Sequence, residues 1–79
     1  MHYFVRTMEK HKESTRVFSP ELPYFGLSDA KAAARRLVLE SNPALMLHAD
    51  ACSRNRNEVR TKYRCWINER GEFQECALS

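Results

Sequence analysis

The segment Ser28-Asp29-Ala30-Lys31-Ala32-Ala33-Ala34-Arg35-Arg36-Leu37-Val38-Leu39-Glu40 decides the fold class, because it is the clearest helical period in the chain. Ala30, Ala33, Ala34, Leu37 and Val38 fall at i, i+3, i+4, i+7 and i+8, which gathers them into one apolar stripe. Ser28 is the expected N-cap, its hydroxyl accepting from the free N–H groups of the first turn. Asp29 then places negative charge at the positive end of the helix dipole. Lys31 and Arg35 lie together on another face, and Arg36 is within reach of Glu40 four residues on. Asn42-Pro43 ends the helix. The stripe is rich in alanine, so this helix is suited to lie close against a sheet.

The flanking sequence has the period of strands. Residues 2–8 mix aromatic and β-branched side chains, with Tyr3 and Val5 on one face and Phe4 and Met8 on the other. Ser14 to Phe18 gives a short hairpin partner. Pro20 and Pro23 make the following stretch a loop, since each removes a backbone donor and holds its predecessor extended. After the helix, Leu45, Leu47, Ala49 and Ala51 alternate with Met46, His48, Asp50 and Cys52, a half-buried strand. Arg54-Asn55-Arg56-Asn57 reads as a polar turn. Val59, Thr61, Tyr63, Cys65 and Ile67 then alternate with Arg60, Lys62, Arg64 and Trp66. Asn68-Glu69-Arg70-Gly71 fits a type I turn closed by a glycine at positive φ. A hairpin there sets Ile67 opposite Phe73 and Tyr63 opposite Ala77, which keeps apolar faces together. The expected fold is a single α+β domain over residues 1–79, ordered ββαβββ, with one helix packed on an antiparallel sheet.

Composition limits the function. The chain has 79 residues, 43% hydrophobic and 29% charged, the balance of a folded globule. A domain this small has a thin core and little room for a deep, water-free pocket. No apolar run approaches the roughly 20 residues of a membrane span, and the N-terminus shows no secretory pattern. The three cysteines, Cys52, Cys65 and Cys76, cannot all be paired within one chain, so a reducing cytoplasm is the expected setting. The net charge of +3 is concentrated. Between Arg54 and Arg70 six cations face two acids, whereas the remainder has seven cations against eight acids.

That surplus supplies the candidate binding residues: Arg54, Arg56, Arg60, Lys62, Arg64 and Trp66. In a regular strand Arg60, Lys62, Arg64 and Trp66 project from one face about 7 Å apart. Cations ending on an aromatic ring suit phosphate or carboxylate contact beside a stacking group. The alternative is a solvated strand face whose cations pair with Asp50, Glu72 or Glu75. Tyr24 and Phe25 are secondary candidates in the loop, although the expectation for Phe25 and Leu22 is that they plug the open end of the core. Lys31 and Arg35 form a further basic spot on the helix, expected mainly to keep the protein soluble.

Catalytic and metal chemistry are weakly encoded. His48 and Cys52 lie four apart on one strand face, with Cys76 available from a neighbouring strand, but no second histidine or close cysteine pair completes a metal set. Cys52, His48 and Asp50 share a face without the shielding an activated nucleophile needs. His2 and His11 sit apart on a terminus and a loop. No enzyme activity, cofactor or small-molecule substrate is expected. The known nucleic-acid modules with two or more helices do not fit either.

The run Gly26-Leu27-Ser28-Asp29-Ala30-Lys31-Ala32-Ala33-Ala34-Arg35, the alternating strands after it and the terminal turn with Gly71 and Phe73 resemble the small anti-CRISPR proteins of phages and mobile elements. The resemblance is one of architecture, and its motif is a generic capped helix. It implies a stoichiometric inhibitor that binds a type I CRISPR effector complex and blocks target DNA binding or cleavage. No functional residues carry over. Many such inhibitors mimic DNA with acidic surfaces, so a basic strip here implies contact with an acidic protein patch or with bound nucleic acid. Two other expectations stand beside it: a small basic nucleic-acid-binding protein, and a structural subunit of a larger assembly.

Overall fold

The computed structural model describes residues 2–10, 15–18, 24–42 and 44–78. Its elements are β1 (His2–Glu9), β2 (Thr15–Phe18), α1 (Leu27–Glu40), β3 (Met46–Asn55), β4 (Glu58–Ile67) and β5 (Phe73–Ala77). The order is the expected ββαβββ. The strands form one antiparallel sheet in the spatial order β2-β1-β3-β4-β5, with α1 lying across β1, β3 and β4. Leu22 and the two loop prolines lie outside the described residues, as do His11, Ser14 and Pro43.

The helix buries the stripe its spacing requires. Ala30, Ala34 and Val38 are buried with Val5, Ala49, Ala51, Tyr63 and Cys65, while Ala33 and Leu37 pack at the margin. Alanines on both sides of the interface bring helix and sheet backbones close, so the core is thin and intolerant of added volume. The start of the helix differs from expectation. Gly26, in extended conformation, is the N-cap, Leu27 is the first helical residue and Ser28 lies exposed in the first turn without capping. The reason lies upstream: Tyr24 pairs with Tyr3 through two backbone hydrogen bonds, at 3.1 and 3.4 Å, which fixes where the chain turns into the helix. At the other end Ser41 caps α1, its N–H and hydroxyl both donating to the carbonyl of Leu37.

The β4–β5 hairpin follows its sequence. Ile67 faces Phe73 and Tyr63 faces Ala77. Gly71 has φ 79° and its N–H donates to the Asn68 carbonyl at 3.0 Å. The Asn68 side chain accepts from the N–H groups of Arg70 and Glu72, each at 2.9 Å, so one residue organises the turn. The β3–β4 turn is tighter than expected. Asn55 and Glu58 still pair, leaving Arg56 and Asn57 as the loop, with Arg56 at φ 57°.

Two bulges on the central strand pairs alter the expected alternation. In the first, Met8 pairs with His48 and Glu9 with Met46, so Leu47 is the unmatched residue. Met46 thereby turns to the core, while Leu45 and Leu47 are exposed rather than half-buried. In the second, Ala51 pairs with Tyr63 but Cys52 pairs with Thr61, so Lys62 is unmatched. Its carbonyl instead accepts from Leu78 N–H at 2.8 Å. Each bulge reverses the faces of everything beyond it.

Candidate binding surface

The second bulge overturns the expectation that Arg60, Lys62, Arg64 and Trp66 share a face. Asp50 and Cys52, two apart on β3, project from the side opposite α1, and their partners are Arg64 and Thr61. Those partners are three apart, an odd spacing that only a bulge permits on one face. Arg64 and Trp66 therefore lie opposite the helix. Arg60 pairs with Ser53, on the helix side, where Ser53, Asn55, Glu58, Arg60 and Lys62 line a shallow depression near the end of the hairpin. Arg60 is further engaged with Glu58, its Nε donating at 2.7 Å. The six-residue basic set is thus divided: Arg54, Arg64 and Trp66 on the face opposite the helix, Arg60 and Lys62 on the other, and Arg56 at the turn.

The face opposite α1 holds a polar centre in which Arg64 pairs with Asp50, as the alternative reading of this strand expects. Asp50 is fully buried among its neighbours' side chains. Arg64 grips it side-on, Nε to Oδ1 at 2.9 Å and Nη2 to Oδ2 at 3.1 Å. His48 Nδ1 lies 3.0 Å from the same Oδ1, so the ring nitrogen donates to the carboxylate. Arg6, directly across from Asp50 on β1, approaches to 3.6 Å and donates to Thr61 Oγ1 at 2.7 Å. Burial alone would raise the Asp50 pKa. The hydrogen bonds from His48 and Arg64 outweigh it and hold the carboxyl at about 2. The same contact raises the pKa of the Arg64 guanidinium.

The Arg54 guanidinium stacks over the ring of Phe4, 5.1 Å from its centroid. Phe4 and Cys52 are buried although no described element packs on this face. Trp66 is half-buried, one strand position beyond Arg64 on the same side and paired with Gln74 of β5. Asp50 is the one carboxylate among the described strand residues of this face, against Arg6, Arg54 and Arg64. The result is a positively charged surface whose planar cations are already positioned.

Compared with models of known families, with curated proteins and with solved structures, the chain finds no match. Geometry alone must carry the functional reading.

The remaining candidates resolve one by one. Phe25 does not plug the core: it is 91% exposed, because the Tyr24–Tyr3 pairing directs Tyr24 inward and turns the next residue out. Lys31 and Arg35 hold their nitrogens and guanidinium 5.6 and 5.8 Å from the Tyr63 ring centroid. Arg35 also reaches Glu75 at 3.8 Å, and Tyr63 donates to Glu75 at 3.0 Å, so the two cations brace α1 onto β4 and β5. Burial raises the Tyr63 pKa well above its ordinary value. His48, Asp50 and Cys52 do share a face, but His48 is bonded to Asp50 and the Cys52 thiol sits 4.0 Å from Thr61 Oγ1. Burial pushes the Cys52 thiol up, opposite to the shift that activates a nucleophile. Cys76 is exposed on β5, across from Arg64. Among the described residues no three histidine, cysteine or carboxylate side chains come together as a metal set. Among the described residues no helix is long and apolar enough to cross a membrane.

Two residues of the surface, Arg6 and Asp50, carried a signal in the sequence. Each is the one charge in the middle of its strand, flanked by Val5 and Thr7 or by Ala49 and Ala51, and a charge so placed requires an opposite partner on the adjacent strand.

Proposed function

We propose that this protein is a non-enzymatic binding protein whose working surface is the sheet face opposite α1, and that it acts as an inhibitor by occupying an anionic site on its partner. One observation carries the reading. Arg6 and Arg64 are anchored on a buried carboxylate and Arg54 on an aromatic ring, so three cations are fixed on one face that no described element covers. Fixing them in the free protein lowers the side-chain entropy lost on binding. In its sharpest form the proposal is that of an anti-CRISPR protein from a phage or mobile element, engaging a type I effector complex in the bacterial cytoplasm. Small size, a single α+β domain and the architectural resemblance support that form. A basic surface suits such a partner, because an RNA-guided effector is itself rich in nucleic acid and displaces a DNA strand when it acts.

The test is affinity purification of the tagged protein from nuclease-treated lysate of cells carrying an active type I system, together with phage interference in the same cells. The expected result is stoichiometric effector subunits and restored phage growth, both lost in Arg54→Glu/Arg56→Glu, which spares Asp50 and its partners. Normal interference together with a bait that recovers no effector subunit would overturn the anti-CRISPR form.

A further inference from the structure

The proposed working surface has the features of a platform for one strand of nucleic acid. Arg6, Arg54 and Arg64 face Asp50 on it, a surplus of two positive charges among its described strand residues. Arg64 uses Nε and Nη2 on Asp50, and among the described residues its Nη1 donors are not committed. Among the described residues Arg6 likewise donates through Nη2. Each fork can therefore keep its anchor and still offer donors to a phosphate oxygen. The Arg54 guanidinium lies over the Phe4 ring at an exposed position, and Trp66 lies half-buried on the same face. Bases stack on such planes whatever their sequence. From Arg54 to His48 the β3 residues of this face span roughly 20 Å.

From this arrangement we infer that the face opposite α1 binds single-stranded nucleic acid, phosphates on Arg6 and Arg64 and bases against Trp66 and the Arg54–Phe4 stack. The inference rests on the reading of this face as the working surface and names what occupies it. Single strands are favoured over duplex because the two stacking planes are useful only when base faces are free, and a duplex hides them. They are favoured over an acidic protein patch because carboxylates would use the arginines and leave both planes idle. Asp50, the one acid among the described strand residues of the face, is already bonded by His48 and Arg64, so it adds little repulsion toward a phosphate.

Trp66 is the sole tryptophan, so its fluorescence reports contact with this face directly. The experiment titrates the intact chain with oligo-dT and oligo-U of about ten nucleotides, and with a duplex of equal length. Saturable quenching is expected, with at least one single strand binding more tightly than duplex. Two phosphate contacts, on Arg6 and Arg64, give a slope of log K against log salt of about −1.4. Arg54→Ala, which leaves the Asp50 centre intact and removes one stacking plane, weakens single-strand binding roughly tenfold, while Arg36→Ala on the exposed side of the helix leaves it unchanged. Trp66→Ala, followed by anisotropy of a labelled strand, weakens binding roughly tenfold or more. Comparing the dT and U arms distinguishes DNA from RNA. Absence of quenching, equal affinity for duplex, or equal effects of Arg54→Ala and Arg36→Ala overturns the inference. If the titration fails while Arg54→Glu/Arg56→Glu still releases a protein partner in the purification, the single-strand assignment falls and the working surface stands. If both fail, both readings fall.

Discussion

Arg64 and Asp50 sit directly opposite one another on β4 and β3 and are joined by two hydrogen bonds, at 2.9 and 3.1 Å. The acid is completely buried, whereas the arginine side chain keeps 40% of its surface in solvent. This asymmetry makes the pair a mount: the carboxylate is hidden by the groups it orients, and those groups remain available at the surface.

The pair makes the stability of the fold depend on pH at the acid end. The Asp50 carboxyl has its pKa lowered from 3.8 to about 2 in the folded chain. A lowered pKa means the ionised form is favoured by folding, so the contribution is fully present above pH 3.8 and is lost as pH falls through 2. Its size is about 2 kcal/mol. Chemical denaturation from pH 6 to 2 is expected to show stability falling at the acid end, with this fall diminished in Asp50→Asn. That variant leaves Arg64 and Arg6 without their counter-charge and is expected to lose about 3 kcal/mol at neutral pH. An unchanged acid limb in Asp50→Asn would locate the sensitivity elsewhere.

Arg56 occupies the left-handed region at φ 57°, in a two-residue turn where glycine or asparagine is the usual occupant. A non-glycine residue there carries a steric cost on the order of 1 kcal/mol. Arg56→Gly is therefore expected to raise the melting temperature despite removing a side chain. The gain is about 0.5 kcal/mol once the greater freedom of glycine in the unfolded chain is subtracted. A loss of stability would show that the arginine side chain makes up for its backbone.

The three thiols differ in environment. Cys52 and Cys65 are buried and Cys76 is exposed. Burial raises both buried thiols, Cys65 to about 11. Titration with a thiol reagent at neutral pH is expected to modify Cys76 rapidly in the native protein, with Cys52 and Cys65 reacting only on unfolding. Cys76→Ser should abolish the fast phase. Fast reaction of a second thiol in that variant would mean that one of the strands opens at low cost.

The helix–sheet interface tolerates little extra volume. Ala34 is fully buried in the cluster that also contains Ala49 and Ala51. Ala34→Leu is expected to destabilise the domain by about 2 kcal/mol through overpacking, whereas leucine at the exposed Ala32 should be neutral. Thermal melts of the two variants separate packing from helix propensity.

Local chemistry made much of this fold legible. Helix position follows from the spacing of Ala30, Ala34 and Val38, because burial of one stripe is a property of the segment itself. The β4–β5 register follows from Asn68 and Gly71, because that turn is closed by its own residues. Interactions distant in sequence decided the rest. Tyr24 is held by Tyr3, and this pairing moved the helix start to Gly26 and turned Phe25 outward. Nothing within residues 22–28 encodes that contact.

The same division separates the candidate surface from the strip that periodicity suggests. The sequence by itself determined that cations are concentrated between Arg54 and Arg70, that one tryptophan lies beside them, and that a helix covers one face of the sheet. Only the tertiary structure decided which cations act together. An unmatched Lys62 reverses every side chain beyond it, which sends Arg60 to the helix side and brings Arg64 into line with Arg6, across 58 residues of chain, on the Asp50 carboxylate. A bulge is a property of two paired strands and not of either one alone, so alternation along β4 could not reveal it.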